Sequence, residues 1–185
     1  MIDDVMLEAE EKMEQALEAS KRELASIRTG RANPSMFNPI LVDYYGAPTP
    51  LQQLAGITIP EARTVIVSPY DRSAMKAITT AIRESDLGVN PTDDGTIIRV
   101  TLPALTEERR RDYVKLARSR AEESRVQVRG IRGRSKKELE AIKKAGEAGE
   151  DDVMRAENEL DALTKRCVEA IDSALASKEA ELLDV

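Results

Sequence analysis

The chain has no histidine and no tryptophan, and only one cysteine and one phenylalanine among its 185 residues. Without histidine, an ordinary metal site and a histidine-dependent triad have nothing to build on. With a single cysteine no disulfide can close within the chain. Aromatics make up 3% of the sequence and charged residues 34%, a mixture that suits long amphipathic helices better than a sandwich or barrel. No apolar run approaches the roughly 20 residues that cross a bilayer, and the acidic segment Met1 to Glu11 has no apolar stretch of the signal-peptide kind. These absences lead us to expect a soluble, cytoplasmic protein with no membrane partner and no metal. Neither a Walker loop nor a G-x-G-x-x-G fingerprint occurs, so no phosphate-cradling loop is expected. The length allows one large domain or two small ones.

What the sequence does contain is organised around Thr106 to about Lys144. In steps of three and four, Val114, Ala117, Ala121, Ser124, Val128 and Ile131 form an apolar seam. One position after each lies Lys115, Arg118, Glu122, Arg125, Arg129 and Arg132, a file that extends back to Arg111 and forward to Lys136. One residue turns a helix by about 100°, so this cationic file flanks the seam. Net charge over the whole chain is -6, yet Arg109 to Lys137 holds twelve cations against three acids. A local patch of this kind can dock a phosphate backbone despite the acidic total. The plainer alternative is a solvated face in which Glu122 pairs with Arg118 or Arg125.

Two further segments carry matching seams. From about Asp3 to Thr29 the positions Met6, Ala9, Met13, Ala16, Ser20, Leu24 and Ile27 fit a helix, capped by Asp3 or Asp4 and stopped by Gly30. After Gly146 and Gly149, the acids Glu150, Asp151 and Asp152 open another helix. Its seam runs through Val153, Ala156, Leu160, Leu163, Cys167, Ala170 and Ala174 to near Leu182. Cys167 in that seam reads as a buried structural thiol. Three matching seams predict a three-helix bundle, its longer helices spanning roughly 50 to 60 Å. Gly130 and Gly133 weaken the second helix by about 1 kcal/mol each relative to alanine.

Residues 32 to 105 differ in character and hold all eight prolines. Strands are expected at Pro39 to Tyr44, Ala55 to Ile59, Thr64 to Val67 and Thr96 to Leu102. A helix is expected from Ser73 to Glu84, with Asp71 as its cap and Gly88 as its stop. The fold class is therefore α+β: a long three-helix bundle from 1–30 and 106–185, and a small β/α/β domain inserted as 31–105. The crossings at 30–34 and 103–106 contain Gly30, Asn33, Pro34, Pro103, Leu105 and Thr106, which we expect to act as a hinge. Asp93-Asp94 beside Gly95 reads as a turn, not a catalytic carboxylate pair. Tyr44-Tyr45 offers either a stacking surface or an ordinary half-buried strand end. No acid, base and nucleophile assemble, so an enzyme is not expected.

Several motifs then identify a family. Ile27-Arg28-Thr29-Gly30-Arg31-Ala32-Asn33-Pro34-Ser35, Tyr44-Tyr45-Gly46-Ala47-Pro48-Thr49-Pro50-Leu51, Ser85-Asp86-Leu87-Gly88-Val89-Asn90-Pro91 and Leu105-Thr106-Glu107-Glu108-Arg109-Arg110 closely resemble the bacterial ribosome recycling factors. Ala176-Ser177-Lys178-Glu179-Ala180-Glu181-Leu182 resembles that family's C-terminus, so the likeness runs essentially end to end. The resemblance implies an L-shaped, hinged molecule with tRNA-like dimensions. It also implies a non-catalytic, monomeric translation factor without a cofactor of its own. Such a factor binds the large-subunit side of the post-termination ribosome and splits it with elongation factor G, which uses the GTP.

Transferred by motif, the rRNA-contacting residues are Arg129 and Arg132 in Val128-Arg129-Gly130-Ile131-Arg132, and Arg28 and Arg31 before the hinge. Arg125, Arg118 and Arg110 join them as cations of the long helix. The chain departs from the family at Gly130 and Gly133, where many members carry asparagine and arginine. Arg134 is then a displaced substitute cation. Competing readings are a coiled-coil adaptor, which would be insensitive to salt, and a general RNA chaperone, which would not prefer ribosomes. A hydrolase lacks a catalytic group that we can name.

Overall fold

The structure, a computed structural model, describes residues 1–184. In chain order it forms α1 (Ile2–Ala25), a 3-10 turn (Pro34–Phe37), β1 (Leu41–Tyr44), β2 (Ala47–Pro50), the one-turn α2 (Leu51–Leu54), β3 (Ala55–Glu61) and β4 (Thr64–Pro69). A second 3-10 turn (Arg72–Ala74) leads into α3 (Met75–Arg83), followed by β5 (Thr92–Asp93), β6 (Ile98–Thr101), α4 (Glu107–Lys144) and α5 (Glu150–Leu183). The chain divides into two compact units. One is Met1–Arg28 with the chain from Glu107 onward, and the other is Thr29–Thr106.

The helical unit packs α1, α4 and α5 against one another along lines that mix small and large apolar side chains. Ala117, Ala121, Ser124, Val128, Ile131, Ser135 and Leu139 of α4 are buried, continuing the expected seam, while Val114 at its start is only half-buried. With 38 residues, α4 spans about 57 Å. It runs without a break through Gly130 and Gly133, both on its exposed surface, where an added Cβ would meet nothing within 4 Å. The helix ends in a Schellman motif: Gly146 has φ +70°, its N–H donates to the Lys143 carbonyl (3.1 Å), and Glu147 N–H donates to that of Ile142 (3.2 Å).

Several sequence expectations for the unit need correction. The first helix stops at Ala25, not near Thr29, and Ser26 caps it in the helical region. Gly30 (φ +79°) instead serves the following linker. Neither Asp3 nor Asp4 caps the helix by its side chain; Asp4 pairs with the N-terminal amine at 3.1 Å. Val5, not Met6, lies on the buried line of α1. In α5 the buried line runs Leu160, Thr164, Cys167, Ile171, Lys178 and Leu182, leaving Leu163, Ala170 and Ala174 half-buried. An α-helix has 3.6 residues per turn, so a strict 3.5-residue repeat drifts around it by about 20° per heptad. Cys167 is buried as expected; its thiol donates to the Met13 carbonyl at 3.6 Å, and burial raises its pKa.

The second unit contains a two-stranded hairpin, β1–β2, and an antiparallel sheet in the order β3-β4-β6-β5. Phe37, Val42, Leu51, Val65, Val67, Ile78, Ile82, Ile98 and Val100 form its fully buried core. The alternation Ile98, Val100, Leu102 points inward as the sequence predicts. Periodicity does not reveal β2, whose sequence Ala-Pro-Thr-Pro lacks two backbone donors. It pairs only with β1, where proline is tolerated at a sheet edge. Tyr45 (φ 51°) and Gly46 (φ +80°) make the tight turn between these strands. Asp71 accepts from Ser73 N–H at 2.9 Å, so it caps the turn ahead of α3. α3 ends at Arg83, five residues before Gly88.

Candidate nucleic-acid interface

Charge in the helical unit is sorted by helix. α4 carries fourteen cations against seven acids, whereas α1 has three against eight and α5 four against ten. The cationic flank of α4 therefore runs beside an acidic partner, and the two interlock. Arg118 Nε donates to Glu179 at 2.5 Å, Arg125 Nε to Asp172 at 2.7 Å and Arg132 Nε to Asp161 at 2.7 Å. On both helices these residues stand one position after a buried one: Ala117, Ser124 and Ile131 on α4, and Lys178, Ile171 and Leu160 on α5.

The register of the ladder explains itself. From Arg118–Glu179 to Arg125–Asp172, α4 advances seven residues and α5 retreats seven, as antiparallel helices require. A further seven on α5 is Lys165, a like charge. Arg132 pairs instead with Asp161, one helical turn beyond it. Glu122 also takes part, but with Arg125 (2.5 Å) and Arg129 (3.4 Å), not with Arg118. The plainer reading of a paired, solvated face is thus partly correct, although most of the pairing acids come from the neighbouring helix. Exposed ion pairs of this kind contribute about 0–1 kcal/mol each, so they orient side chains more than they stabilise the fold.

The individual arginines differ. Arg125 is held by Nε and by its other amino edge, and its side chain is 18% exposed. Asp172 first, then Glu122, raise its pKa against the opposing cost of burial. Among the described residues, Arg118, 65% exposed, and Arg132, 39% exposed, each meet a single acid through Nε. Arg129 is exposed with one long contact, and Arg110 lies half-buried in the first turn of α4. Arg134 has no acid partner among the described residues and lines a shallow groove with Lys12, Gln15 and Gln127. Arg28 is exposed just beyond α1 in the helical unit, and Arg31 is exposed in the linker of the other.

The linker residues are ordered by specific bonds. Asn33 Oδ1 accepts from Ser35 N–H (3.0 Å) and Oγ–H (2.9 Å), and Pro34 opens the 3-10 turn behind it. A Cβ on Gly30 would stand 3.2 Å from Leu105 Cγ, so the two crossings touch. Ala32 N–H donates to the Ala62 carbonyl (2.7 Å) and Leu102 N–H to that of Arg63 (2.8 Å). Both crossings are thereby tied to the β3–β4 turn; Pro103 and Thr106 complete the second one.

Elsewhere, Asp93 and Asp94 do form a turn. Asp94 accepts from Thr96 N–H (3.1 Å) and Ile97 N–H (2.9 Å), and these backbone donors hold its pKa below the usual aspartate value. Tyr44 donates to Asp71 at 2.9 Å, which raises the phenol pKa, while Tyr45 is exposed. No helix is long and apolar enough to cross a membrane, and no cluster of metal-ligating side chains occurs among the described residues. Sequence reasoning missed Asp161, Asp172 and Glu179; only Asp161 stands one step after an expected seam position, Leu160, because the expected seam did not include Ile171 or Lys178. It also missed buried Lys178, which donates to the Ile27 carbonyl at 3.4 Å and pairs with Glu181.

Comparison with known proteins agrees with this architecture. The family model described as "Ribosome recycling factor" matches residues 20–183. The ribosome-recycling factor of Kineococcus radiotolerans is 63% identical over 185 residues, and that of Beutenbergia cavernae 62%, each match covering all of both chains. A solution structure of the ribosome recycling factor superposes with a TM-score of 0.76 at 41% identity, covering 100% of this chain and 98% of that one. The T. thermophilus ribosome recycling factor, represented with E. coli elongation factor G bound to the E. coli post-termination complex, gives 0.64 at 40% identity with both chains fully covered. With relatives matched over its whole length and a family model spanning most of it, the chain belongs to the ribosome recycling factor family.

Proposed function

We propose that this protein binds the post-termination ribosome on its large subunit and, with elongation factor G and GTP, splits it into subunits. Messenger RNA and deacylated tRNA are thereby freed for another round. The supporting observation is the cationic flank of α4 in a chain related end to end to ribosome recycling factors. Arg129 and Arg132 contact rRNA phosphates, with Arg118, Arg125, Arg110, Arg28 and Arg31 as further cations. The planar guanidinium fork suits this task because it meets phosphate oxygens bidentately and stacks on bases. The protein acts as a monomer in the cytoplasm and holds no cofactor; GTP belongs to elongation factor G.

The action is mechanical. The helical unit docks on rRNA, elongation factor G displaces the inserted unit, and the linkers at Gly30, Asn33, Pro34, Pro103, Leu105 and Thr106 yield as a hinge. A helix of about 57 Å packed along its length is stiff enough to carry that displacement into the subunit interface. Light scattering of post-termination ribosomes with the cognate elongation factor G and GTP tests the function. Wild type should lower scattering, and a folded Arg132→Ala variant should do so much more slowly. No splitting by wild type would overturn the function, and equal splitting by both would discard Arg132 as a contact.

A further inference from the structure

The ladder between α4 and α5 presents a puzzle of sign. A surface that meets a polyanion should be poor in acids, yet carboxylates stand directly against two of the arginines assigned to rRNA, Arg132 and Arg118. Asp161 and Glu179 each grip one guanidinium by Nε, its inner edge, and among the described residues neither Arg132 nor Arg118 engages a second acid. An arginine held this way keeps an outer edge of terminal amino donors for a ligand. Arg125 is the contrast: Asp172 takes Nε and Glu122 takes a terminal nitrogen, so that guanidinium is closed on both sides.

Resting on the assignment of this flank to rRNA, we propose that Asp161 and Glu179 are positioning residues for RNA binding. They fix the guanidiniums of Arg132 and Arg118 before the RNA arrives, with the outer edges presented. Arg125 in this scheme serves the α4–α5 contact and acts on the RNA as a further cation through its charge, not through an outer edge. The physical basis is entropy. A free arginine side chain samples many rotamers, and ordering it on binding costs affinity that a pre-set side chain does not lose. The opposing effect, repulsion between the carboxylate and the RNA, is weakened by solvent at these half-exposed positions and screened by salt within about 8 Å.

The two effects predict opposite outcomes, which makes the proposal testable on full-length protein binding to isolated bacterial large ribosomal subunits. If Asp161 positions Arg132, Asp161→Ala weakens binding about three- to tenfold. Asp161→Asn, which still accepts the Nε hydrogen bond, binds at least as well as wild type. In an Arg132→Ala background, Asp161→Ala then produces no further loss. Tighter binding by both Asp161 variants would overturn the proposal and make the acid a simple competitor. An equal loss from Asp161→Ala with and without Arg132 would also overturn it, by showing a general packing role. Should Arg132→Ala itself bind like wild type, the assignment of the flank to rRNA fails, and the positioning role with it. Glu179→Ala and Glu179→Gln, paired with Arg118→Ala, repeat the test at the other rung if an Asp161 variant does not fold.

Discussion

The two compact units bury their cores in different ways. The inserted unit gathers large side chains around one centre, with Phe37, Leu51, Ile78, Ile82 and Ile98 fully buried. The helical unit spreads its interior along lines in which small residues such as Ala9, Ala16, Ser20, Ala117, Ala121, Ser124 and Ala156 recur between large ones such as Met13, Leu139, Leu160 and Ile171. A large residue leaves a cavity when it is removed from either unit, but a small residue facing a neighbouring helix leaves no room for additions. The inserted unit is therefore vulnerable chiefly to removal, and the bundle also to enlargement at its small positions.

That contrast can be broken by experiment. Phe37→Ala should cost about 3–5 kcal/mol in denaturant unfolding, since the ring is wholly buried and a cavity would replace it; a loss below 1 kcal/mol would mean the core can collapse around the gap. Ala121→Leu should cost about 1–3 kcal/mol by overpacking the α4 seam, whereas a neutral result would reveal slack between the helices.

The smallest effect concerns pH. Asp71 and Asp94 have lowered pKa values, and both lie in the inserted unit. Ser73 is the main cause at Asp71, and the backbone donors of Ile97 and Thr96 are the main causes at Asp94. A carboxylate with a folded pKa below its unfolded value stabilises the fold above the unfolded value, near 4, and loses that effect as pH falls through the folded one. Asp94→Asn should thus lower stability slightly at neutral pH, leave it little changed in strong acid where Asp94 is itself protonated, and so flatten the acid side of the profile below about pH 4. An unchanged acid slope would assign it to other carboxylates.

Much of this organisation is legible in the sequence because helices with 3.6-residue periodicity announce their buried faces. Ala117 through Ile131 needed only that rule. What stayed hidden depended on partners distant in sequence. Asp161 and Glu179 look like ordinary surface acids until α5 is laid antiparallel to α4. Lys178 looks exposed until the end of α1 offers it a carbonyl. β2 escapes because two prolines disguise an edge strand, and the α5 seam slides because its buried positions advance by more than a strict heptad allows. The cationic file itself was evident, whereas its division into an open Arg132 and a closed Arg125 was not.

The β3–β4 turn has a broader consequence. Ala62 and Arg63 receive the entering and the leaving strand through adjacent carbonyls, and Gly30 touches Leu105. A stretch of 78 residues, Thr29–Thr106, thus begins and ends at one place. It is a cassette with a single doorway. Because both of its ends meet at that turn, the order of the doorway is set by the inserted unit's own backbone.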